Sequence, residues 1–97
     1  MSPETRVLPF EPEHVPGIAA VCGELGWPSY ADPAVAARGC PAPGVSTFVA
    51  VADGTVVGFA QVLSDGVVQA YLTLLGVLPP WRRQGIASRL VIAAFEA

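Results

Sequence analysis

The sequence predicts one α/β (α+β) domain, a mixed and mostly antiparallel sheet flanked by helices, in the order β-α-α-β-β-β-α. Three observations lead there. The chain has 97 residues, 53% hydrophobic and 13% charged, which suits a single packed core and excludes a disordered chain. Three segments rich in Val, Phe, Leu and Thr follow one another, separated by Asp-Gly pairs. Segments with apolar residues at helical spacing stand before and after them. The mean hydropathy of +0.54 is high for so small a domain, so some apolar surface is expected to meet a partner.

The first strand is the apolar run Thr5 to Phe10, which stops at Glu11-Pro12. A helix follows, because Val15, Ile18, Ala19, Cys22 and Leu25 recur on one face, and Gly26 ends it. Pro16 is tolerated in its first turn, where the missing N–H has no partner anyway. Asp32-Pro33 is an N-cap followed by proline at the first helical position, so Ala34 to Arg38 is a short second helix. The stretch Cys40-Pro41-Ala42-Pro43-Gly44 is a loop.

Ser46 to Ala52, Thr55 to Ser64 and Val67 to Val77 read as a three-stranded antiparallel meander. Asp53-Gly54 and Asp65-Gly66 are its turns, since two-residue hairpin turns need positive φ at both central positions. Alternation puts Val57, Phe59 and Leu63 on one face and Val56, Ala60 and Val62 on the other, so helices should cover both. Pro79-Pro80 ends the third of these strands, and a last helix starts near Gln84 with Ile86, Leu90, Val91, Ala94 and Phe95 as its buried stripe. That helix reaches Ala97 without a C-cap signal, so residues 1–97 are expected to be a single incomplete domain.

The net charge is −3 and all five basic residues are arginine, the wrong balance for a general nucleic-acid binder. No apolar run approaches a membrane span, and two cysteines are too few for a secreted disulfide scaffold. The expected setting is cytoplasmic, with no nucleic-acid or membrane partner and no metal. His14 reads as a surface residue, Cys22 as a small core hydrophobe and Cys40 as a loop thiol.

The informative segment is Leu75-Gly76-Val77-Leu78-Pro79-Pro80-Trp81-Arg82-Arg83-Gln84-Gly85-Ile86-Ala87-Ser88, a strand end leading into a helix start. A helix N-terminus exposes unpaired N–H groups and a partial positive charge, so cations there are unwelcome unless an anion joins them. Placing Arg82 and Arg83 at that point suggests a phosphate-bearing ligand. Gly85 leaves the backbone open to phosphate oxygens, Ala87 keeps the turn narrow, and Ser88 offers a hydroxyl. Neither a lysine-bearing phosphate loop nor a Gly-x-Gly-x-x-Gly fingerprint is present.

The pattern Arg82-x-x-Gly85-x-Ala87, preceded by Leu75-x-Val77-x-Pro79, resembles the hallmark of the GNAT superfamily of acyl-coenzyme-A-dependent N-acetyltransferases. The element order also resembles the first part of that fold. The resemblance implies that acetyl-CoA is the cosubstrate. Leu75, Gly76 and Val77 would pair with its pantetheine arm, with room left at Gly76. Arg82, Arg83, Gln84, Gly85, Ile86, Ala87 and Ser88 would hold its pyrophosphate. It implies acetyl transfer to a small-molecule or peptide amine.

A carboxylate that often acts as base in the family's fourth strand has no counterpart between Val67 and Val77, where Gln69, Tyr71 and Thr73 are the polar residues. Tyr71 and Thr73 are therefore the catalytic candidates, against the plainer reading that they pack across strands. Trp27, Pro28 and Tyr30 follow the first helix, where the family shapes its acceptor pocket, and a hydrophobic plug is an equal reading. The alternative function is a non-catalytic coenzyme-A-binding or assembly module. An unfinished sheet leaves an open strand edge, so a homo-oligomer, at least a dimer, is expected to complete it.

Overall fold

The computed structural model describes residues 4–97. Its elements are β1 (Thr5–Pro9), a 3-10 turn (Pro12–His14), α1 (Val15–Leu25), α2 (Pro28–Ala31), α3 (Pro33–Gly39), β2 (Val45–Ala52), β3 (Thr55–Ser64), β4 (Ala70–Val77), a second 3-10 turn (Pro79–Trp81) and α4 (Ile86–Glu96). The four strands lie in the order β1-β2-β3-β4, and every pairing is antiparallel. Each predicted helix and strand is present. The addition is α2, which the sequence reading leaves as loop; Pro28 sits at its first position, where fixed φ suits a helix start.

Local chemistry explains the ends. Gly26 closes α1 in the left-handed region at φ 74°, and the Asp32 carboxylate accepts from the Ala34 N–H at 2.9 Å to cap α3. Asp53 and Gly54 both have positive φ, 54° and 77°, as their hairpin requires. The second hairpin differs from expectation. Asp65 Oδ1 accepts from the N–H groups of Val67, Val68 and Gln69 at 2.8–3.1 Å, so the turn is a loop and β4 begins at Ala70 instead of Val67. Those bonds hold the Asp65 carboxyl below the usual carboxylate range.

The sheet separates two cores. On one face α1, α2 and α3 pack over Val49, Val56 and Phe59; on the other α4 packs over Ala50, Ala52, Val57, Ala60 and Val62. The expected faces of Val56 and Val57 are thus exchanged. Ala50 pairs with Gly58 and Val51 with Val56, which leaves Val57 as an extra residue and reverses the alternation. Leu63 and Phe95, expected to be covered, are both 46% exposed, and Val91 is only half-buried. Cys40 is buried beside the α3 end rather than a loop thiol: Thr47 Oγ1 donates to its carbonyl at 3.0 Å, and burial raises both Cys22 and Cys40 to a pKa of about 11.

Candidate functional site

Strand β4 forms one edge of the sheet and runs into the turn before α4. The Leu78 N–H donates to the Val57 carbonyl at 2.8 Å, so alternation turns the Gly76 backbone toward β3 and the Leu75 and Val77 backbone toward the free edge. Pro79 and Pro80 then force a 3-10 turn in which Trp81 N–H bonds Leu78 O and Arg82 N–H bonds Pro79 O.

Beyond that turn the backbone changes character. Arg83 lies at φ 65° and Gly85 at φ 76°, so two left-handed residues flank Gln84. A left-handed arginine costs on the order of 1–3 kcal/mol, a strain tolerated where the surrounding fold enforces it. Gly85 is the N-cap of α4 and has no side chain to cap it, and the first intrahelical bond is Arg89 N–H to Gly85 O at 3.1 Å. Among the described residues the N–H groups of Arg83, Gln84, Gly85, Ile86, Ala87 and Ser88 therefore have no protein acceptor. A β-carbon built at Gly85 would meet nothing within 4 Å. These six donors without a protein acceptor stand at the positive end of an 11-residue helix.

These donors border a cleft of about 430 Å³ between β4, the α4 start and the end of α1. Leu75, Gly76, Val77, Arg82, Arg83, Gly85, Ile86, Ala87 and Ser88 line it, as the sequence reading grouped them. Gln84 does not; its amide turns back to the Pro80 carbonyl at 3.4 Å. Arg82 is partly engaged as well, its Nε donating to the outward Val77 carbonyl at 3.0 Å. The expected room at Gly76 is filled. A β-carbon there would lie 2.7 Å from Leu25 and 2.9 Å from Trp27, so the missing side chain admits those two residues, which form the cleft wall. Leu25 and Trp27 line the cleft through the tertiary contact of α1 with β4, which motif spacing does not report, and Trp81 lines it from within the motif segment.

A second cleft of about 480 Å³ shares Trp27 with the first and is lined also by Pro28, Ser29, Tyr30, Gln61, Thr73 and Leu74. Trp27 and Tyr30 are held by the buried Phe59 ring, with centroids 6.2 Å and 6.5 Å from it. Thr73 reaches this cleft because Gln61 pairs with Leu74 and Val62 with Leu72, which leaves Thr73 as the extra residue of a bulge. Its hydroxyl donates to the Gln61 carbonyl at 3.0 Å. Tyr71, the other catalytic candidate, is brought to neither cleft; it is 60% exposed and its hydroxyl bonds the Gln69 side chain at 3.1 Å. His14 is half-buried, and its Nδ1 accepts from the Glu11 N–H at 2.9 Å. Among the described residues no group of three or more His, Cys, Asp or Glu could hold a metal ion, and no helix is long and apolar enough to cross a membrane.

A family model described as the Acetyltransferase (GNAT) family matches residues 15–97. The chain belongs to the GNAT acetyltransferase family. Solved GNAT structures share its fold. The AAC(6')-Iy enzyme, in complex with the bisubstrate analogue CoA-S-monomethyl-acetylneamine, is 25% identical with a TM-score of 0.75, over 96% of this chain and 70% of its own. A tandem GNAT protein from the clavulanic acid biosynthesis pathway is also 25% identical with a TM-score of 0.75, over 96% of this chain and 32% of that one. The aminoglycoside 6'-N-acetyltransferase from Enterococcus faecium is 24% identical with a TM-score of 0.74, over 91% of this chain and 52% of its own, a likeness of fold alone. No curated protein matches significantly.

Proposed function

We propose that this GNAT domain binds acetyl-CoA along β4 and the α4 start and transfers its acetyl group to an amine. The observation behind this is the run of six N–H groups from Arg83 to Ser88 with no protein acceptor, facing open space at Gly85. Such a run suits a diphosphate, whose oxygens accept several N–H bonds at once. Arg83 and the ends of Arg82 not bonded to Val77 add charge at the same place.

The free Leu75 N–H and C=O and the Val77 N–H offer a strand edge to an amide-bearing arm, in the manner of an added strand. Acetyl-CoA supplies a thioester. The amine nitrogen attacks its carbonyl carbon, the C–N bond forms as the C–S bond breaks, and the proton lost from nitrogen leaves with the sulfur. On this chain, Trp27 lines both clefts. Thr73 is the polar residue of β4 that lines a cleft, and its hydroxyl oxygen is the candidate to orient the amine.

Calorimetric titration with coenzyme A is expected to give one site, and thiol release from acetyl-CoA is expected to require an amine. No heat with coenzyme A would overturn the reading. A second reading, a coenzyme-A-binding module completed by another copy, is favoured by the unpaired β4 edge and by Val67 and Val68, 84% and 81% exposed. Coenzyme A binding without turnover, together with a dimer by light scattering, would select it.

A further inference from the structure

The chemistry of the second cleft defines the class of acceptor, given the acetyl-transfer reading above. The cleft shares Trp27 with the first, and its β4 residues, Thr73 and Leu74, directly precede the Leu75–Val77 edge in the strand. Its walls are the Trp27 indole, Pro28 and Leu74 on the apolar side and Ser29, Tyr30, Gln61 and Thr73 on the polar side. Among the described residues no charged side chain lines it. We infer that the acceptor is a monoamine with a flat, apolar body, an arylalkylamine, and not a polycation such as an aminoglycoside or a polyamine.

Hydrogen-bond accounting narrows what the polar wall offers. Gln61 is 6% exposed, and its Nε2 donates to Tyr30 Oη at 3.0 Å and to Thr47 Oγ1 at 3.2 Å, which uses both hydrogens. The Tyr30 hydroxyl lies 3.3 Å from Gln61 Oε1 as donor, and the Thr73 hydroxyl spends its hydrogen on the Gln61 carbonyl. What remains toward the cleft is the free lone pairs of the Tyr30 and Thr73 hydroxyl oxygens and the Ser29 hydroxyl. These groups can accept from an amine nitrogen and, being uncharged, neutralise no positive charge.

Each further ammonium entering this cleft would lose its hydration without gaining a carboxylate, a net cost. An aromatic ring gains instead by lying against Trp27, Pro28 and Leu74. Burial also favours the uncharged amine, the form able to attack a carbonyl. The aminoglycoside 6'-N-acetyltransferase from Enterococcus faecium shares the fold with this chain. The chemistry of this wall points elsewhere.

The test compares equilibrium binding of phenethylamine, spermidine and the aminoglycoside neamine by calorimetry, with and without coenzyme A. Phenethylamine is expected to bind at least tenfold more tightly than either polyamine. The variant Thr73→Asp places a carboxylate in the cleft and is expected to reverse that preference. Equal or tighter binding of spermidine or neamine to the unaltered chain would overturn the inference, as would no binding of phenethylamine. Failure of coenzyme A to bind while phenethylamine is still preferred would instead count against the cosubstrate site alone.

Discussion

Two polar regions interrupt this apolar fold, and they are built in opposite ways. Around Gln61 the side-chain donor hydrogens of Gln61, Tyr30, Thr47 and Thr73 are spent within the protein, and among the described residues no buried side-chain nitrogen or oxygen lacks a partner. Between Arg83 and Ser88 six consecutive backbone donors are left open, and a strained arginine is retained at φ 65°. The closed cluster shapes a wall. The open turn leaves its donors to whatever lies outside the protein, which is the ground for proposing a diphosphate there.

The largest expected effect comes from filling the open turn. Gly85→Asp adds a side chain to a position with φ 76° and a negative charge to the donor array, so coenzyme A affinity is expected to fall by at least 100-fold, measured by calorimetry. Circular dichroism checks that the fold is retained. Unchanged affinity would remove the distinction between the two regions. Next is Gly76→Ala, whose methyl would press on Leu25 and Trp27 at 2.7–2.9 Å. Overpacking of this kind costs typically ~1–3 kcal/mol, so urea unfolding should show a loss in that range, with weakened coenzyme A binding as the cleft wall shifts.

Breaking the closed cluster should cost stability and leave coenzyme A binding nearly intact. Gln61→Leu strips Thr47 and Tyr30 of a donor and is expected to lower stability by about 1–3 kcal/mol, again by urea unfolding. A large loss of coenzyme A affinity instead would mean that the two regions are one unit. The smallest effect concerns Cys22 and Cys40. Their folded pKa of about 11 lies above the usual thiol value, so the unfolded chain loses these protons first as pH rises. Their contribution to stability is complete below about pH 8.5 and is lost progressively between there and pH 11. Thermal unfolding across pH 8 to 10 checks the downward slope, and Cys22→Ala with Cys40→Ala should flatten it.

The contrast also separates what was legible in the sequence from what was not. The open turn was legible because Pro79-Pro80, two arginines and Gly85 are local signals, each fixing φ or charge where it stands. The turn at Asp53-Gly54 was legible for the same reason. The Asp65-Gly66 pair misled, since its aspartate spends its carboxylate on three N–H groups and opens a loop. The faces of Val56 and Val57 and the arrival of Thr73 at a cleft depend on bulges, which arise from cross-strand register and leave no mark in periodicity. Gln61 did carry a signal that went unused, a lone amide inside an apolar strand, which must be buried with partners or exposed.

The amides that open α4 are proposed to hold an anion. Backbone amide NMR during titration with coenzyme A, and separately with inorganic pyrophosphate, tests this directly. Shifts concentrated on Arg83 to Ser88, with the Gln61 cluster unmoved, are the predicted result. Shifts elsewhere with those six amides silent, or no shifts at all, would contradict it.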